Sequence, residues 1–183
     1  MKILIVVDMQ NDFIDGSLGS PEAQAIVPNV IEKIKQYAAD PSAAIVFTKD
    51  THYADYMETA EGKKLPIPHC IAHTKGWDIV SDVLKAADLC ETVEVFNKNT
   101  FGLYELPNYI ADLAGEYFYN SEIESIEIIG VCTDICVVSN VMILKSVFTE
   151  TPIIVDSSCC AGVTPQSHAA ALDVMRMCQI EVV

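Results

Sequence analysis

Basic residues are scarce in this chain of 183 residues: 11 lysines and arginines stand against 26 aspartates and glutamates, a net charge of -15. So acidic a chain lacks the cationic surface that a nucleic-acid partner or an anionic membrane would require. No apolar run is long enough to span a bilayer. The amino-terminal run Ile3 to Val7 is too short for the apolar region of a secretion signal, so a cytoplasmic protein is expected. Repeats, linkers and low-complexity stretches are also missing, and 183 residues leave little room for two cores. Residues 1–183 therefore read as a single domain, and the 51% hydrophobic content is enough to fill it. The seven cysteines are odd in number and irregularly spaced, so they form no disulfide framework and suit a reducing compartment. Cys159 and Cys160, adjacent in the chain, read as ordinary thiols.

What the chain does have is alternation of short β-branched runs with helical periodicity. Strands are predicted at Lys2 to Val7, Ala43 to Thr48, Thr92 to Phe96, Ser125 to Ile129, Pro152 to Val155 and Ile180 to Val183. Helical spacing is found at Val27, Val30, Ile31, Ile34 and Ala38, then from Ile79 to Ala87. It recurs at Leu106, Tyr109, Ile110, Leu113 and Tyr117, from Asp134 to Phe148, and from Pro165 to Cys178. This order predicts an α/β fold, a doubly wound, mostly parallel sheet with helices on both faces in a Rossmann-like three-layer sandwich. Between Asp50 and Gly76 periodicity is lost, and the segment holds three of the four histidines; a loop this long in a small domain suggests function.

In such a sheet ligands bind outside the carboxyl ends of the strands. Asp8, Asp50, Lys98 and Cys136 all fall at predicted strand ends. Taken singly, Asp8 reads equally as a turn cap, Lys98 as a solvated loop residue and Cys136 as a small core side chain. Together they are complementary. With Thr133 as N-cap, Cys136 sits in a first helical turn, where backbone NH groups and a nearby ammonium favour a thiolate and a carboxylate can carry the proton. Backbone NH groups at the helix start, that of Cys136 included, could receive an oxyanion. The pattern fits acyl transfer. A second group, Asp50-Thr-His52 with Glu61 and His69, has the donor types of a zinc, manganese or iron site and is also compatible with a solvated loop. His73 and His168 read as structural or surface residues. Cys132 and Cys136 lack a second pair of soft ligands and do not make a zinc site.

The ordered motifs Asp8-x-Gln-Asn-Asp-Phe13, Asp50-Thr-His52, Pro68-His69-Cys70 with Thr74-x-Gly76, Lys98, and Gly130-Val-Cys-Thr-Asp-Ile-Cys136-Val resemble the isochorismatase-like cysteine hydrolases, in their nicotinamidase branch. The resemblance spans nearly the whole chain. It implies a catalytic triad of Asp8 as proton carrier, Lys98 as electrostatic support and Cys136 as nucleophile. It also implies a cis peptide between Val131 and Cys132, and an oxyanion hole from the NH groups of Cys132 and Cys136. One divalent metal would be held by Asp50, His52 and His69, zinc first, with iron or manganese as alternatives. Glu61 stands where some of these enzymes have a fourth ligand. Pro66 occupies a position where they often carry a tryptophan, so an apolar wall would come from Phe13 or Phe101. The implied activity is ammonia release from a small amide, nicotinamide being the first candidate. Another amide, ureide or carbamoyl compound, or a non-catalytic relative that binds a metabolite or protein, is the alternative. A homo-oligomer is expected.

Overall fold

A computed structural model describes residues 1–115 and 123–183. Its strands are β1 (Lys2–Val7), β2 (Ala43–Asp50), β3 (Val93–Lys98), β4 (Ser125–Val131), β5 (Ile153–Ala161) and β6 (Glu181–Val182). They form one sheet in the order β3-β2-β1-β4-β5-β6, and every neighbouring pair is parallel. The helices are α1 (Asn11–Ile14), α2 (Pro21–Ala38), α3 (Ser81–Lys85), α4 (Leu106–Leu113), α5 (Val138–Val147) and α6 (Pro165–Met177).

The apolar run of β1 is continuous because both of its faces are covered. Ile3, Ile5 and Val7 enter one core layer with Leu106 and Ile110 of α4, Val141 and Leu144 of α5 and Met175 of α6. Leu4 and Val6 point the other way, toward Ile26, Val30 and Ile34 of α2 and Val83 of α3. The order of winding reverses between β1 and β4, the chain stepping outward to β2 and β3 on one side and to β5 and β6 on the other, and there a doubly wound fold opens its crevice.

Several boundaries differ from expectation, each for a local reason. Helix α2 starts six residues before Val27, because Ser20 Oγ accepts the Ala23 NH at 3.0 Å and Pro21 occupies the first turn. Helix α3 is shorter than Ile79 to Ala87. Ile79 bridges to Gln10 and the Val80 NH donates to the Met9 carbonyl, so those residues run extended. Strand β5 continues six residues past Val155. Its polar middle hides this in the sequence, yet Asp156 is paired with Lys33 at 3.0 Å and the Ser157 NH reaches the Val183 carbonyl. Tyr117, assigned to the fourth helical pattern, lies outside the described residues.

Gly130 is required by position. Its φ is +116°, and a β-carbon there would lie 2.1 Å from the Val7 carbonyl oxygen. The register between β4 and β5 shifts at the same place. Gly130→Ala is therefore expected to destabilise the protein by at least about 2 kcal/mol, read from the denaturant midpoint, since strained φ and overpacking act together.

Candidate active site

Asp8 follows β1 in a left-handed conformation (φ 49°) that aspartate tolerates better than most residues. Its side chain is fully buried. Thr48 Oγ1 donates to Oδ1 at 2.7 Å, and the Lys98 ammonium lies 2.6 Å from Oδ2. Lys98 Nζ is also 3.6 Å from Cys136 Sγ and 3.9 Å from Asp50 Oδ1. The structure thus brings Asp8, Lys98 and Cys136 into one buried group, with Lys98 between the carboxylate and the sulfur.

The turn carrying Cys136 departs from the expected helix start. Thr133 is not the cap. Residues Thr133–Val137 form a wide π-type turn in which the NH groups of Ile135 and Val137 both donate to the Cys132 carbonyl, at 3.1 and 3.0 Å. Only from Val138 is the helix regular. The Thr133 hydroxyl pairs instead with His168 Nδ1 at 2.8 Å, so His168 backs this turn from α6. The peptide bond between Val131 and Cys132 is cis. Asn140 clamps the turn from below, its Nδ2 donating to the Cys136 carbonyl at 2.8 Å and its Oδ1 accepting the Leu103 NH at 2.9 Å.

Electrostatically, the sulfur is subject to opposing influences. Burial pushes the Cys136 pKa well up, the Asp8 charge adds to it, and Lys98 works in the opposite direction without prevailing. Lys98 thus favours the thiolate, as expected, while burial opposes it. Burial also raises the Asp8 carboxyl, against the pull of Lys98. Burial works against the Lys98 ammonium too, but the charges of Asp8, Cys136 and Asp50 outweigh it and keep the lysine protonated. A carboxylate whose pKa is raised is a stronger base than an ordinary aspartate, which suits Asp8 to receive a proton from the adjacent thiol. Burial likewise holds Cys132 up at about 12, with Asp134 and Asp8 adding to the effect, and among the described residues Cys132 has no ammonium at bonding distance.

Next to this group, Asp50, His52 and His69 are buried, and their ligating atoms lie within 4.8 Å of one another. His52 Nε2 is 3.0 Å and His69 Nε2 3.5 Å from Asp50 Oδ2, while Glu61 Oε1 is 3.8 and 3.7 Å from the same two nitrogens. His69 Nδ1 lies 2.9 Å from the Ile67 carbonyl; a proton held there leaves the Nε2 lone pair facing the centre, the usual support of a metal-binding imidazole. His52 Nε2 is buried without a hydrogen-bond partner among the described residues. One carboxylate, two imidazoles and a second carboxylate within reach are a donor set that fits a divalent ion. Burial opposes ionisation of Asp50, but the adjacent His52 and His69 rings and the charge of Lys98 bring its pKa down.

Gln10 fixes this site to the sheet. Its amide NH₂ donates to the Asp50 carbonyl at 2.8 Å and its oxygen accepts the Asp50 NH at 2.7 Å. Asp12 accepts the Cys70 NH at 2.7 Å, anchoring the chain beside His69. Gln10, Asp12, Thr48 and Asn140 are supporting residues that the sequence motifs taken singly do not assign, while His168 has the structural role expected of it. The first two lie within the Asp8 to Phe13 motif, the one signal that could have pointed to them.

Cys136, Asp50, Glu61 and His69 open onto a cavity of about 500 Å³. Phe13 and Phe101 both line it; Pro66 does not, and the neighbouring Leu65 does. His73 packs edge-on against Trp77, away from the site.

A six-stranded parallel α/β sheet with a buried Asp-Lys-Cys group at its crevice and an Asp-His-His cluster beside it defines a doubly wound protein built around a cysteine. The chain belongs to the isochorismatase family: the isochorismatase domain matches residues 2–183. A nicotinamidase/pyrazinamidase of Mycobacterium tuberculosis is 29% identical, covering 100% of this chain and 98% of its own length. The pyrazinamidase of Pyrococcus horikoshii, solved in complex with zinc, superposes with a TM-score of 0.78 at 27% identity, over 100% of this chain and 98% of that one. The N-carbamoylsarcosine amidase of Thermoplasma acidophilum shares the fold, with a TM-score of 0.75 at 23% identity over 99% and 94% of the two chains.

Proposed function

We propose that this protein is a metal-assisted cysteine amidohydrolase that releases ammonia from a small carboxamide, with nicotinamide the first substrate to try. At the coarser level its family and relatives make it a hydrolase of non-peptide C–N bonds. The observation that carries the finer reading is Lys98 Nζ, 2.6 Å from Asp8 and 3.6 Å from Cys136 Sγ.

In this reading Asp8 takes the Cys136 proton as sulfur attacks the amide carbonyl carbon. The NH groups of Cys132 and Cys136 receive the oxyanion. Asp8 returns the proton to the nitrogen, the C–N bond breaks and ammonia leaves a thioester on Cys136. Water, losing a proton to Asp8, attacks the thioester; the acid departs and sulfur regains its proton. Lys98 stays charged throughout, offsetting the negative charge that moves between Asp8 and the sulfur. A divalent ion held by Asp50, His52 and His69, with Glu61 facing it, supplies a fixed positive charge and a Lewis acid beside the substrate. Zinc is the first candidate, as in the Pyrococcus structure, ahead of iron and manganese.

A single catalytic domain, a cytoplasmic location and a homo-oligomeric state belong to the same proposal. No helix among the described residues is long and apolar enough to cross a membrane.

Ammonia release from nicotinamide, assayed with and without a chelator, tests the reaction; no release from any amide in a panel of small carboxamides and ureides would overturn it. Elemental analysis is expected to find about one divalent ion per chain in the wild type and a content several-fold lower in His52→Ala. Unchanged metal content in that variant would remove His52 from the ligand set.

A further inference from the structure

The cavity wall says more about the substrate than the reacting group does. Its inner end is set by Cys136 and the Asp50, Glu61 and His69 cluster. The rest of the wall includes Leu18, Leu65, Phe101, Ile135 and Val163; Phe101 and Val163 are half exposed while Cys136, Asp50 and His69 are buried, so the cavity opens to water on the side away from the cluster. These five come from five separate segments: the turn before α2, the long loop after β2, the stretch after β3, the π-type turn, and the stretch after β5. An apolar side chain from each is a property of the site and not of one element. A volume near 500 Å³ falls in the range of pockets that enclose ligands of drug size, and a single six-membered ring bearing a carboxamide fills only part of it.

Charge is distributed just as unevenly. Among the described residues no lysine or arginine lines the cavity, and the carboxylates that do, Asp50 and Glu61, belong to the buried cluster beside Cys136. The nearest buried cation, Lys98, is committed to Asp8 at 2.6 Å. The neutral polar side chain on the wall, Ser20, already accepts the Ala23 NH as the cap of α2. An anionic substituent carried toward Leu18, Leu65, Ile135 and Val163 would lose water and meet apolar carbon with no cation to pair with.

We infer that this site is built for a neutral carboxamide whose acyl part is apolar and extends beyond a single ring into the Leu18, Leu65, Ile135 and Val163 end of the cavity, and that it rejects amides and ureides carrying a carboxylate. The inference rests on the amidohydrolase reading given above and specifies its substrate class. The gain on extension comes from water displaced from the outer wall, several-fold for each methylene that is buried.

The test compares kcat/KM for ammonia release by the metal-loaded enzyme on nicotinamide, on nicotinamide carrying a butyl chain at ring position 5 or 6, and on nicotinamide carrying a carboxylate at the same positions. The better butyl compound is expected to exceed nicotinamide at least tenfold, and both carboxylates to fall at least 100-fold below it. Leu65→Trp, which fills the outer cavity from a partly exposed position, is expected to lower the butyl-to-parent ratio at least tenfold. Turnover of nicotinamide with no gain from either butyl chain, or with a carboxylate compound equal to it, overturns the inference and leaves amide hydrolysis standing. No ammonia from any compound overturns the reading on which both rest.

Discussion

Cys136→Ala is expected to lower ammonia release by a factor on the order of 10⁴ or more, because no other group near the amide carbon can form the covalent intermediate. Cys132 is the nearest alternative in sequence, but burial holds its thiol near 12 and, among the described residues, no ammonium lies at bonding distance. The variant should fold, since Cys136 is a small side chain and the turn is held by backbone bonds and by Asn140. Steady-state ammonia release, combined with metal content and the unfolding midpoint, separates loss of the nucleophile from loss of structure. Turnover within tenfold of wild type would rule out the thioester route. In the active protein the acid limb of kcat/KM should lie above the ordinary aspartate range, since Asp8 must be ionised to accept the thiol proton and burial raises its carboxyl. That midpoint belongs to the Asp8, Lys98 and Cys136 group as a whole.

The second large effect concerns Lys98. Lys98→Met leaves Asp8 buried with its countercharge gone and Asp50 nearby, a situation that costs about 3–5 kcal/mol in comparable buried pairs. Turnover should fall at least 100-fold as well, because negative charge on sulfur or carboxylate is then unopposed. The double variant Asp8→Asn with Lys98→Met distinguishes the two consequences. It removes the unpaired charge and should recover most of the stability, while activity stays lost. Denaturant unfolding at fixed metal concentration reads the first, ammonia release the second. Full activity in Lys98→Met would show that the lysine is a structural counterion only.

The parts of this molecule legible in its sequence are those governed by local pattern. β1 is a continuous apolar run because it is covered on both faces, and it ends where its chemistry begins, at Asp8; β4 is a β-rich run interrupted by Glu127 and carries the chain through Gly130 to the cysteine turn. The same logic places Asp50 and Lys98, although both prove to be the last residues of their strands and pair in register. What could not be read depends on partners far along the chain. Gln10 and Thr48 each act across 40 residues, and His168 reaches Thr133 across 35. The width of the turn before α5 is set by two NH groups sharing one carbonyl, a choice that composition does not encode. Leu18, Leu65 and Val163 sit in loops, where an apolar residue has no period to announce which way it faces.

That loop-built wall also acts on the way out. In an amide hydrolysis the ligand enters neutral and leaves as a carboxylate, and the new charge arises beside Lys98 and the Asp50, His52 and His69 cluster. On leaving, the acid must pass apolar side chains among which, in the described residues, no lysine or arginine stands to receive it. A passage that suits the amide opposes the acid, so departure and not entry is the crossing that this wall slows.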